Sequence, residues 1–143
     1  MSGKKDLAGQ RQRFDDAPYS RLLGMRLLEL SEGYARVEVT LRPEFANFAG
    51  LVHGGLLMSL ADQAFGCALN TLDRLYVATQ FNIHILGGAA WGETLVAEGR
   101  VVHAGRTTGL GEMAVRDSSG RLVALATGAV VALQREEKAV QSP

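Results

Sequence analysis

The sequence predicts an α+β domain, an antiparallel β-sheet curled around one long helix. Three observations lead there. The run Leu56–Leu69 is apolar on nearly every helical face, so as a helix it calls for burial. The segments around it alternate or are rich in strand-forming residues. The last three are joined by short Gly- and Ser-containing turns, which force antiparallel pairing.

In chain order, residues 1–16 are polar and charged and read as a short helix or loose arm, with Pro18 breaking any helix there. Leu27–Leu30 and Tyr34–Arg42 flank Ser31-Glu32-Gly33 and form a hairpin. Its second strand turns Ala35, Val37, Val39 and Leu41 inward and Arg36, Glu38 and Thr40 outward. The helix spans about Gly54 to Asn70. Four strands follow, at about Tyr76–Leu86, Thr94–His103, Thr107–Asp117 and Leu122–Leu133. The expected division is an arm over 1–18, one domain over 19–133 and a frayed tail over 134–143. Such a sheet leaves an edge strand and an outer face open, which favours oligomerisation.

The chain has 143 residues, 47% of them hydrophobic, and a formal net charge of zero. One core-forming domain fits that length, and the balanced charge argues against a nucleic-acid partner. The single cysteine, Cys67, permits no intrachain disulfide and fits a reducing compartment. Neither a signal-peptide pattern nor a bilayer-spanning run is visible, so a cytoplasmic protein with no membrane partner is expected.

Asp62 stands out in the helix because no Lys or Arg accompanies it there. With Ser59, Gln63 and Gly66 it forms a narrow polar stripe. Either the stripe is solvated or it faces a cleft, and its Leu, Met, Phe and Ala neighbours favour the cleft. A carboxylate in such surroundings is a candidate base or nucleophile. Gly54 and Gly55 open the helix, where backbone N–H groups lack intrahelical partners and can serve as oxyanion donors. Alternatively they only permit a tight entry into the helix. Gly54 and Asp62 lie eight residues apart, about 12 Å along a helix axis. One carbonyl cannot touch both, so if both act together, the site is shared between two subunits.

Other candidates carry two readings each. His53 positions the adjoining loop or is merely structural. Asn47 hydrogen-bonds a carbonyl or a water, or caps the loop. Thr79 shares an alternation face with Phe81 and Ile83, which predicts a buried hydroxyl near the helix. Arg106, Thr107 and Thr108 at a hairpin tip meet phosphate or form an ordinary turn. His53, His84 and His103 have no metal-ligand spacing, so no metal site is expected.

The pattern Asn47-x5-His53-Gly54-Gly55-x6-Asp62 resembles the hotdog-fold acyl-CoA thioesterases of the phenylacetate-pathway, or PaaI-like, type. Leu23-Gly24-Met25, Gly105-Arg106-Thr107-Thr108 and Asp117–Gly128 also resemble that family, and the similarity covers about residues 20–133. It implies a hotdog fold assembled as dimers or dimers of dimers. It also implies metal-free hydrolysis of an acyl-CoA, aryl or short to medium, with no cofactor beyond the CoA of the substrate. Asp62 is then base or nucleophile, Gly54 donates its amide to the thioester oxygen, and Asn47 and His53 support that arrangement. Gly55, Gln63, Arg106, Thr107 and Thr108 are expected to contact substrate. A hydroxyl is usual on the strand after the helix, at Ala78 or Thr79, and a small residue is usual where Gln63 stands. The competing reading is a non-catalytic acyl-CoA-binding or sensing protein on the same scaffold.

Overall fold

The computed structural model describes residues 6–133. The tail expected from residue 134 lies outside the described residues. Two helices lead, α1 (Leu7–Asp16) and α2 (Pro18–Leu23), then β1 (Arg26–Ser31) and β2 (Tyr34–Thr40). A short 3-10 turn, Pro43–Phe45, precedes α3 (Gly54–Leu69). The remaining strands are β3 (Tyr76–Ile85), β4 (Thr94–Ala104), β5 (Thr108–Arg116) and β6 (Leu122–Ala132). Every expected strand and the long helix are present, with ends shifted by a residue or two. No helix among the described residues is long and apolar enough to cross a membrane.

The N-terminal segment is more ordered than a loose arm. Asp6 caps α1 by accepting the Gly9 N–H at 2.9 Å. Phe14 is buried, and the Arg11 guanidinium donates to the Leu27 carbonyl of β1. Pro18 does more than interrupt a helix. The chain is extended at Ala17, and Pro18 opens α2 at its first position, where a missing N–H costs nothing. The boundary expected at residue 18 therefore falls inside α2.

The six strands form one antiparallel sheet in the order β1-β2-β4-β5-β6-β3. The strand that follows the helix thus lies at the far edge from β1. In β2, Ala35, Val37 and Val39 are buried as the alternation predicted, and Leu41 beyond it is buried too. The concave face holds α3, which packs chiefly on β4, β2 and β5.

Small residues decide how deeply the helix sits. Phe65 is buried to 1% exposure, and its ring lies over Gly111 of β5 and Gly128 of β6, which pair across the sheet. A Cβ on Gly128 would come within 2.2 Å of that ring, and one on Gly99 within 2.5 Å of the Ala64 carbonyl oxygen. The helix rests where those strands have no side chains.

Burial of α3 is one-sided, contrary to the expectation of a fully enclosed rod. Leu57, Leu60, Ala61, Ala64 and Ala68 are buried, whereas Gly55, Met58, Asp62 and Asn70 are exposed on the opposite face. The sheet wraps the helix from one side only and leaves that face open.

Beyond the helix, the β5–β6 turn is built on Asp117. Its Oδ1 accepts from the Ser119 hydroxyl at 2.7 Å and from the Ser119 and Arg121 N–H groups, and its Oδ2 pairs with Arg121 Nε at 2.9 Å. The Ser119 hydroxyl bond does most to pull the Asp117 carboxyl down to about 2; burial opposes it, and Arg121 adds to the lowering. Arg121 also donates to the Gly88 carbonyl, tying this turn to the β3–β4 connection.

Two expectations follow. Gly128→Ala should cost about 1–3 kcal/mol, read as a lower urea midpoint, and an unchanged midpoint would contradict the seat described for α3. The unfolded carboxyl of Asp117 titrates near its ordinary 3.8 and the folded one near 2. Its contribution is therefore complete above the ordinary value and lost as pH falls towards 2. Asp117→Asn should make acid unfolding less steep across that window, and a curve superimposable on wild type would contradict the turn's role.

Candidate active site

The segment before α3 forms a tight loop around Asn47. Ala46 bridges Val52, and the Asn47 N–H donates to the Leu51 carbonyl at 2.7 Å. The Asn47 side-chain oxygen accepts the N–H groups of Ala49 at 2.9 Å and Leu51 at 3.0 Å. That is the loop-capping role. It fixes the amide plane and leaves the Nδ2 hydrogens as donors without a partner among the described residues. Both readings of Asn47 are thus compatible.

His53 is the N-cap of α3 and accepts the Gly55 N–H on Nδ1 at 2.8 Å. An accepting Nδ1 places the proton of a neutral imidazole on Nε2. The bond also occupies the Gly55 amide, which is therefore spent and offers no donor to a substrate. The Gly54 N–H has no partner among the described residues. Of the two glycines, Gly54 alone presents a free amide at the positive end of the helix. A Cβ on Gly54 would come within 2.9 Å of the terminal methyl of Ile85 on β3, a contact that a shift of that half-exposed side chain can relieve.

Asp62 lies just over two turns farther along α3, on the open face, with no hydrogen-bond or ion-pair partner among the described residues. Although it is exposed in the single chain, the surrounding protein still raises its pKa above the ordinary 3.8 by desolvation. Ser59, one turn earlier, is hydrogen-bonded to the Tyr19 hydroxyl of α2. Tyr19 was not singled out from the sequence, since nothing local marks a contact 40 residues away. Gln63 and Gly66 are half-buried and line a cavity beside α3.

Thr79 departs from expectation. It is the extra residue of a bulge, because Ala78 pairs with Val130 and Gln80 with Ala129. Val130 is buried, so by register its partner Ala78 shares that face, although Ala78 itself is exposed at this edge. Thr79 is exposed on the edge strand, and its hydroxyl donates to the Ala129 carbonyl at 3.2 Å. A bulge resets the alternation that had linked Thr79 to Phe81 and Ile83.

Arg106 and Thr107 occupy the β4–β5 turn and Thr108 begins β5, all three exposed. The Arg106 carbonyl accepts from Arg74 at 3.0 Å. His53 and Gly54 therefore stand at the start of α3 and Asn47 in the loop that leads into it, while Asp62 lies two turns farther along the helix, Thr79 on β3 and Arg106 between β4 and β5. Among the described residues no cluster of His, Cys, Asp or Glu could hold a metal ion.

The profile of the thioesterase superfamily matches residues 49–124, which include Gly54 and Asp62. A protein of Archaeoglobus fulgidus is 43% identical over 109 residues, covering 76% of this chain and 71% of the relative. The acyl-coenzyme A thioesterase PaaI of Escherichia coli is 32% identical over 115 residues, covering 80% of this chain and 82% of the relative. The solved E. coli PaaI structure aligns at a TM-score of 0.84 and 29% identity, over 92% of this chain and 97% of that one. A Streptococcus mutans protein solved bound to acetyl CoA aligns at a TM-score of 0.73 and 28% identity, over 76% and 88% of the two chains. The chain belongs to the thioesterase superfamily, as a thioester hydrolase with the PaaI-like hotdog fold.

Proposed function

We propose that the chain hydrolyses acyl-CoA thioesters at a site completed by two copies of itself. One observation carries this. The unpartnered Gly54 N–H and the unpartnered Asp62 carboxylate sit on the same helix, eight residues apart. That is about 12 Å along the axis, too far for one thioester carbon. The open face of α3 bears Gly55, Met58 and Asp62, and β3 is a free sheet edge with Val77 and Ile85 exposed. A second copy pairing along β3 would bring one copy's Asp62 towards the other's helix start. The names of the similar proteins support the substrate class: one is an acyl-coenzyme A thioesterase and another was solved with acetyl CoA.

In the proposed reaction, the Gly54 N–H and the Asn47 Nδ2 donate to the thioester oxygen, where negative charge develops. Asp62 of the other copy takes a proton from water as the water oxygen bonds to the carbonyl carbon. The C–S bond then breaks, and the proton returns to the departing CoA sulfur. Direct attack by the Asp62 carboxylate, followed by hydrolysis of the anhydride, uses the same groups. His53 is a positioning residue, because its bond to Gly55 fixes the turn that presents Gly54. Thr79 lies on the edge a second copy would cover. The protein itself needs no cofactor in this scheme.

The test is CoA release from a panel of aryl, short and medium acyl-CoAs. Asp62→Asn should lower kcat/KM by at least about 100-fold while the thermal unfolding curve keeps its shape. Full activity in that variant would overturn the scheme. Binding of acyl-CoA with no turnover by the wild-type chain would favour the sensing alternative.

The pH profile gives an independent check. Asp62 must be ionised to act, and desolvation raises its pKa from 3.8. The acid limb of kcat/KM should therefore lie above the ordinary aspartate range, with activity rising as pH rises through it. A limb at or below the ordinary value would contradict this placement of the base.

A further inference from the structure

Ser59 carries the one hydroxyl of α3, and it stands three residues before Asp62. On a helix that spacing sets two side chains about 60° apart round the axis and about 4.5 Å apart along it. Their Cβ atoms are then about 5–6 Å apart, a span that one water can bridge. Both residues belong to the open side of the helix, Asp62 exposed and Ser59 half-buried. Ser59 bonds to Tyr19 rather than to Asp62.

Tyr19 thus brings a second hydroxyl to this spot from outside the helix, and its side chain is not buried there, being 50% exposed. Its backbone is held at both ends of α2. Pro18 opens that helix, and Gly24 closes it in the left-handed conformation, with φ at +73°. The Met25 N–H donates to the Ser20 carbonyl at 2.9 Å, and Arg42 donates to the Leu22 carbonyl at 3.0 Å. The two hydroxyls own two hydrogens, and their mutual bond uses one. The other has no acceptor among the described residues. The strand after the helix offers no comparable group: Ala78 has no hydroxyl, and Thr79 spends its own on the Ala129 carbonyl.

We infer that Ser59 and Tyr19 hold the hydrolytic water against Asp62. The inference rests on the acyl-CoA reading above and on its general-base route. A fixed water needs two to four polar partners, and this spot offers a carboxylate acceptor and a pair of hydroxyls. The water donates one hydrogen to the Asp62 carboxylate. The free hydroxyl hydrogen of the pair donates to one lone pair of the water oxygen, and the other lone pair bonds to the thioester carbon. The water proton passes to Asp62 as that bond forms, the C–S electron pair leaves with sulfur, and the proton then goes to the sulfur. Both hydroxyls emerge unchanged. All three side chains belong to one copy, so the copy that gives the carboxylate also brings the water.

Tyr19→Phe and Ser59→Ala each remove a single oxygen, and CoA release is measured for each and for the double variant. One lost hydrogen bond to the water should lower kcat about 3–10-fold with KM unchanged. The Tyr19–Ser59 bond also ties α2 to α3, and the double variant separates the two roles. Either single substitution breaks that tie, so a purely structural role makes the double variant no slower than the slower single. A water held by both hydroxyls makes the losses multiply, to about 10–100-fold in kcat. Single variants at the wild-type kcat, losses confined to KM, or a double variant no slower than the slower single overturn the inference.

Asp62→Asn, measured beside them, keeps this failure apart from failure of the reaction itself. If Asp62→Asn loses turnover while the double variant keeps it, hydrolysis through Asp62 stands and the water site falls. If the wild-type chain turns over no thioester, the hydrolysis reading falls and takes this inference with it.

Discussion

The structure depends on the close approach of α3 to the sheet. At the contact, Gly99, Gly111 and Gly128 give no side chains, and the Phe65 ring and the Ala64 backbone occupy the space. The contact fixes both the depth and the rotation of the helix. Asp62 precedes Ala64 by two residues, about 200° round the axis, so seating Ala64 on β4 turns Asp62 away from the sheet. A buried helix could not present a carboxylate. A helix seated on one side only can.

The start of the helix is organised by different means. Side chains there bond to nearby backbone groups rather than to distant partners. Asn47 holds its loop through Oδ1 and His53 holds the first turn through Nδ1. Between them they use up the amides of Ala49, Leu51 and Gly55 and leave that of Gly54 open. Local order at one end of α3 and an unpartnered acid farther along make two incomplete halves. On the proposed reading neither half is a site by itself, and a second copy of the chain would supply the missing one.

Much of this was legible in the residues. The alternation in β2, the turn residues at Gly33 and Ser119-Gly120 and the apolar run of α3 are local signals, and the elements formed where those signals lay. Gly54 and Asp62 could also be picked out as candidates, because an acid without a basic neighbour and glycines at a helix start stand out in any sequence. What escaped depended on register or on distance. Thr79 was misplaced because a bulge inserts one residue and reverses the faces beyond it. The open face of α3 was missed because composition reports how apolar a helix is, not how far a sheet reaches round it. Tyr19 and Ser59 meet only through the fold, as do Arg74 and Arg106.

The central claim is that a working site takes its carboxylate from one copy and its oxyanion donors from another. Complementation between inactive variants tests it most directly. Asp62→Ala and Asn47→Ala, each inactive alone, are mixed, unfolded together and refolded. If the site is shared, half of the resulting dimers are mixed and each mixed dimer has one intact site. Activity should then return to about a quarter of the wild-type value. A refolded mixture no more active than its two components would contradict the account and place the whole reaction within a single chain.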